Sequence, residues 1–224
     1  MPMKPNERGK SAVAFLKHLY PDAICSLEHG NDPFKLLAMA CLSAQCTDAR
    51  VNIVSKELFY KYPDADSMAE APLEEIENLI RSCGLYKSKA KRLKEMSEIL
   101  VSRFDGRVPD NMDDLLTLPG VGRKVANLVL GDVYNIPGIV TDTHCIRICG
   151  RLGFYPESEK NPIKVEKILS KCIEPEEQSE FCHRLVLFGR EYCSARSPRC
   201  DECSAIAEEI IGECFCKSRL SKNI

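Results

Sequence analysis

The chain has 224 residues, 44% of them hydrophobic and 29% charged, with a formal net charge of −2. That is the composition of a globular protein long enough for one large domain or two small ones, and it excludes a disordered or fibrous chain. No apolar run approaches the roughly 20 residues of a spanning helix, and the opening "MPMKPNERGKSAVAFLKHLY" lacks the apolar core of an export signal. A cytoplasmic protein without membrane contact is therefore expected.

In chain order, "PFKLLAMACLSAQCTDARVNIVSKELFYKY" is rich in Ala and Leu and long enough for two helices broken near "QCTD". "APLEEIENLI" opens with Pro72 at a plausible first helical position and repeats Leu73, Ile76, Leu79 and Ile80. "SKAKRLKEMSEILVSRF" sets Leu93, Met96, Leu100 and Phe104 at three- and four-residue spacing. The segment "RSCGLYKSKAKRLK" (81–94) is locally basic, with Arg81, Lys87, Lys89, Lys91, Arg92 and Lys94 and no acid. "MDDLLTL" is helical and leads into "LPGVGRKVANLVLGDV". "IPGIVTD" alone looks extended. "IKVEKILSKCI" and "FCHRLVLFGREY" return to the helical period. The pattern predicts an all-α protein of about ten helices joined by short loops.

"LPGVG" carries the first functional signal. Pro119 then Gly120 suits a tight turn, and Gly122 gives a second permissive position where the next helix starts. Backbone N–H groups of such a turn point outward at a helix N-terminus, a seat for phosphate. A dinucleotide fingerprint would need a third Gly where Val125 stands, and a Walker loop would need Gly-Lys-Ser/Thr. Lys124 follows among Val125, Ala126, Leu128, Val129 and Leu130. Apolar surroundings and the helix dipole both disfavour an ammonium there, which would leave the amine free as a nucleophile. The alternative is a lysine whose head reaches water. Asp142 stands where an N-cap belongs, before the apolar period Ile146, Cys149, Leu152.

Thirteen cysteines is a high number for this length. Without a secretory signal they point to metal binding or chemistry rather than a disulfide framework. Cys41, Cys46, Cys145, Cys149 and Cys182 sit in apolar helical patterns and read as small core residues. In "CSARSPRCDEC", Cys193, Cys200 and Cys203 are separated by six and two residues, with Cys214 and Cys216 following. Spacing alone permits a zinc site as well as an iron–sulfur cluster.

"LPGVGRKVAN" followed by "VTDTHCIR" resembles the lysine-bearing hairpin and downstream aspartate of the endonuclease III family of helix-hairpin-helix DNA glycosylases. The likeness extends to "CLSAQCTDARVN", "GLYKSKAKRL", "GRVPDNMDDLLTLPGVG" and "LVLFGREYCSARSPRCDEC", covering about residues 30–203 in unbroken order. It implies a two-lobed fold. Residues 26–136 would form a six-helix lobe with the helix-hairpin-helix motif at about 112–127. Residues 1–25 together with 137–224 would form a helical lobe with a [4Fe–4S] loop at 193–216, and DNA would lie between the two.

The resemblance also implies the activity: a monomeric glycosylase and AP lyase that removes oxidised pyrimidines from double-stranded DNA and cuts at abasic sites. Lys124 and Asp142 would be catalytic. Gln45 would fill the gap left by the extruded base and Leu85 would wedge the stack. Gly120, Val121, Gly122, Lys87, Arg196 and Arg199 would contact DNA. Cys193, Cys200 and Cys203 would hold the cluster. The family's usual fourth cysteine falls on Glu209, which is no thiolate, so the fourth ligand would be Cys216, with Cys214 the alternative. Two other readings are a non-catalytic DNA-binding module and a mismatch-directed monofunctional glycosylase. Lys124 paired with Asp142 argues against the first. Lys124, and the lack of a glutamate in "LSAQCT", argue against the second.

Overall fold

A computed structural model describes residues 5–212, so Cys214 and Cys216 lie outside the described residues. Every regular element among the described residues is helical: twelve α-helices and one 3-10 turn, Pro175–Glu177. The chain divides into two compact units. One is Cys25–Ile136, and the other is built from the segments on either side of it. No described helix is long and apolar enough to cross a membrane.

The unit Cys25–Ile136 contains α2 (Pro33–Leu42), α3 (Asp48–Lys61), α4 (Ala65–Glu70), α5 (Leu73–Leu79), α6 (Tyr86–Phe104), α7 (Met112–Leu115) and α8 (Arg123–Asp132). That is seven helices where six were expected, because the short α7 is an element of its own. Side chains written in the sequence set most of the starts. Asp32 accepts the Lys35 amide ahead of Pro33, Thr47 accepts that of Arg50, and Asn111 accepts that of Asp114. Pro72 stands just outside α5, with φ −59° and ψ 129°, rather than at its first helical position. Leu36, Leu37, Leu58, Met68, Ile76 and Leu100 are fully buried at the centre. Helices α2, α4 and α5 pack on α6, and α8 packs on α2 and α7. Lys94 of α6 donates to the Ala69 and Ala71 carbonyls, the latter at 3.0 Å, and so closes the C-terminal end of α4.

The other unit holds α1 (Pro5–Leu19), α9 (Thr143–Arg151), α10 (Pro162–Cys172), α11 (Gln178–Glu191) and α12 (Cys200–Ile211). Helix α1 packs against α10, α11 and α12. The approach to α10 is close enough that a Cβ on Gly9 would lie 1.8 Å from the Cys172 carbonyl oxygen. Phe15 meets Phe188 edge-on at 5.6 Å. Arg184, 1% exposed, donates to the Tyr20 carbonyl at 3.3 Å and to Glu177 at 2.8 Å, and also pairs with Glu180. The segment before Asp142 is irregular and joins no strand. Cys145, Cys149 and Cys182 are core residues, whereas Cys41 and Cys46 are only partly buried.

Candidate functional site

The hairpin is a type II turn over Leu118–Val121: Gly120 has φ +84° and the Val121 N–H donates to the Leu118 carbonyl at 3.1 Å. It rests on α2 and α6. Cys41 Sγ donates to the Gly120 carbonyl at 3.8 Å, and a Cβ on Gly120 would lie 3.4 Å from Arg92 Cδ. Gly122 is the cap of α8 and supplies no side-chain acceptor. The first-turn amides, which have no acceptor within the helix, are thus not sealed by a side-chain cap.

Lys124 is the second residue of α8, and it is exposed. This corrects the expectation of an amine enclosed by its apolar neighbours. Ala126, Val129 and Leu130 turn to the core while Lys124 faces away from them, and the polar residue buried on this helix is Asn127. The Lys124 amine thus reaches water two residues past Gly122, on the side of α8 away from the core.

Two exposed residues with left-handed backbones lie on abutting loops. Gln45, between α2 and α3, has φ +55°, and Leu85, the cap residue of α6, has φ +60° with 62% of its surface exposed. A Cβ on Gly84 would lie 3.4 Å from the Gln45 carbonyl oxygen, so the two loops touch. A bulky residue held in the left-handed region with its apolar side chain in water is costly twice over. The basic segment is less available than its composition suggests. Lys87 is exposed, but Lys91 pairs with Glu95, Lys94 closes α4, and Lys89 is 7% exposed with no hydrogen-bond partner for Nζ.

In the other unit, Asp142 is the N-cap of α9 and its Oδ1 accepts the Cys145 amide at 2.7 Å. The cysteine loop that follows α11 is held by arginines that none of the sequence motifs singles out. Arg147 donates to the Cys193 carbonyl at 3.0 Å. Arg151 donates to Cys193 Sγ at 3.3 Å and to the Ser194 and Ala195 carbonyls at 2.7 and 3.1 Å. Their signal is the four-residue spacing, which puts both guanidiniums on one face of α9. Arg196 is exposed. Arg199 is engaged within the loop: it donates to the Glu191 carbonyl at 2.6 Å, pairs with Glu202 at 3.1 Å and stacks on Tyr192 at 4.8 Å.

Cys193 is buried, and Cys200 and Cys203 are half-buried. Their three sulfurs do not all fall within 4.8 Å of one another.

Residues 38–175 match the HhH-GPD superfamily of base excision DNA repair proteins. The chain is 43% identical over 189 residues to endonuclease III of Bacillus subtilis, covering 84% of this chain and 85% of the relative. It is 40% identical over 173 residues to endonuclease III of Escherichia coli, covering 77% and 81%. The chain belongs to the endonuclease III family. Its structure is similar to that of a non-covalent endonuclease III–DNA complex, with a TM-score of 0.88 and 39% identity over 99% of each chain. It is likewise similar to a trapped endonuclease III–DNA covalent intermediate, with a TM-score of 0.87, 39% identity and coverage of 99% of this chain and 100% of that one. A thermostable thymine-DNA glycosylase at 22% identity shares the fold. As a member of that family, the protein is a DNA glycosylase and AP lyase of base excision repair.

Proposed function

We propose that Lys124 is the nucleophile of this enzyme and that its substrates are oxidised pyrimidines and abasic sites in double-stranded DNA. The observation that carries this reading is an exposed amine two residues past the hairpin's last glycine, Gly122, on a helix with no side-chain cap. A phosphate held by the hairpin amides brings a nucleotide to that amine. Lys124 attacks C1′ of the damaged nucleotide, the base leaves, and the sugar remains bound as a Schiff base. The imine acidifies the C2′ proton, and β-elimination breaks the strand on the 3′ side. Asp142 takes a proton from the lysine or stabilises positive charge developing on the sugar.

The damaged base has to leave the stack first, at a cost of a few kcal/mol that is smaller for a damaged base. Leu85 wedges the stack and Gln45 fills the gap. Gly120, Val121 and Gly122 hold phosphate through backbone amides, and Lys87 and Arg196 add charge. Cys193, Cys200 and Cys203 ligate a [4Fe–4S] cluster, with Cys216 as fourth ligand and Cys214 the alternative. The cluster, when bound, fixes the loop that carries Arg196. The protein acts as a monomer in the cytoplasm, associated with the nucleoid when on DNA. Borohydride reduction of the protein with duplexes carrying different lesions tests this. A covalent adduct through Lys124 is expected on oxidised pyrimidines and abasic sites, and its absence on all of them overturns the reading.

A further inference from the structure

The loops that carry Gln45 and Leu85 also carry Cys46 and Cys83, each one or two residues away. Cys46 lies between α2 and α3, and Cys83 lies between α5 and α6, so neither is inside a helix. The two loops abut, since a Cβ on Gly84 would lie 3.4 Å from the Gln45 carbonyl oxygen, and the two thiols are near enough to act on each other; Cys83 is 1% exposed while Cys46 is partly open to solvent. Burial pushes the Cys83 thiol up to about 11, the Cys46 thiol adds to this, and the charges of Lys89 and Arg50 pull it back. Lys89 is the second observation. Its ammonium is buried, has no hydrogen-bond partner, and is near enough to Cys83 to act on its charge. A buried amine left unpaired in a fold that pairs its other buried cations is costly unless an anion forms beside it.

We infer that Cys46 and Cys83 are a modification site: a dithiol that closes to a disulfide on reaction with a low-molecular-weight disulfide and ties the Gln45 loop to the Leu85 loop. Cys46, the more open sulfur, attacks the small disulfide, forms a mixed disulfide and releases one small thiol, which takes the Cys46 proton. Cys83 then attacks the Cys46 sulfur, the second small thiol leaves with the Cys83 proton, and the S–S bond between the loops is complete. Two protein thiols are oxidised and one small disulfide is reduced to two thiols. Lys89 acts as a positioning residue that stabilises the thiolate of the second attack. Two loops already in van der Waals contact move little to close the bond, but they lose the freedom to part. A wedge and a gap-filling residue that must enter the duplex together are thereby held in one arrangement. The functional consequence rests on the reading of Gln45 and Leu85 as the residues that probe DNA.

The test uses the whole protein with its cluster, incubated with oxidised glutathione and then alkylated. Peptide mass spectrometry is expected to find residues 36–50 joined to 82–87, and the link is expected to vanish in Cys46→Ser, which separates it from a bond through Cys41. Excision by the oxidised wild type is expected to fall several-fold and to return with dithiothreitol, while Cys46→Ser and Cys83→Ser stay insensitive to oxidant. Lys89→Met, which keeps the length and removes the charge, is expected to slow link formation severalfold by lowering the thiolate fraction of Cys83. Absence of the linked peptide overturns the site. A link that leaves excision unchanged overturns the regulatory role, and an unaltered rate in Lys89→Met overturns the part given to the lysine. If Leu85→Ala excises normally in the reduced state, the wedge reading fails while the outcome for the thiol pair stands.

Discussion

The carboxylate of Asp142 accepts the Cys145 backbone N–H at 2.7 Å and so closes the N-terminus of α9. Only Oδ1 makes that bond, so one group can cap a helix and still present an oxygen to chemistry. Asp142→Asn preserves the cap, because Asn serves there about as well as Asp. Its unfolding free energy should stay within about 1 kcal/mol of wild type while single-turnover excision falls by orders of magnitude. Normal turnover in this variant would leave Asp142 a cap and nothing more.

Lys124→Ala removes an exposed side chain, so stability should change by about 0.5 kcal/mol or less. Base excision, strand cleavage and borohydride trapping should disappear together. Binding to abasic duplex should persist, because backbone amides and other cations supply the phosphate contacts. Trapping that survives the substitution identifies a different amine.

Purified protein should be brown and carry about four irons per chain. Arg151→Met takes away the donor to Cys193 Sγ and to two loop carbonyls, so a chelator should strip iron from it faster than from wild type. Cys216→Ser should lower iron content more than Cys214→Ser, and the reverse ranking moves the fourth ligand. Stoichiometric zinc in colourless protein would replace the cluster assignment.

Leu85→Gly tests the wedge against a structural role. Glycine adopts φ +60° without the roughly 1 kcal/mol that a side chain costs in the left-handed region. The melting temperature should hold or rise while excision from paired duplex falls. A lower melting temperature with unchanged excision would make Leu85 a packing residue.

Acid should loosen the unit built around Arg184. Burial pushes the Glu177 carboxyl up, but hydrogen bonds from Lys17 and Arg184 outweigh it and hold the group below its ordinary 4.5. A depressed carboxylate contributes stability in full above that ordinary value and loses it as pH falls through the lower folded value. The melting temperature of wild type should therefore drop steeply below about pH 4.5, and that of Glu177→Gln should start lower and show a shallower drop. Parallel profiles would remove Glu177 from the acid response.

What was legible in the sequence was local. Pro119-Gly120 encodes a type II turn by itself, Asp142 needs only the next three residues to become a cap, and the helical period needs only its own repeat. The misjudged features depend on partners far along the chain. Lys124 sits in an apolar run, but the run covers one face of α8 and leaves the lysine outside it. Lys94 and Arg199 look like free cations until the carbonyls of Ala71 and Glu191 arrive. Lys89 reads as one more surface charge, and only the packing around α6 buries it. The neighbouring thiols of Cys46 and Cys83 likewise have no signal in either loop alone.

Lys94, held by the end of α4, also alters how the protein should respond to ionic strength. The basic stretch has six cations by composition, but Lys89 is buried, Lys91 faces Glu95 and Lys94 serves a helix end. On the proposed reading of this stretch as a DNA contact, Arg81, Lys87 and Arg92 are left to displace condensed counterions from a duplex. At about 0.9 ions released per neutralised phosphate, this stretch contributes about −3 to the slope of log affinity against log salt, where its composition suggests about −5. The grip on undamaged DNA should therefore fade gently as salt rises, which favours an enzyme that must travel along a chromosome more than one that must stay where it lands.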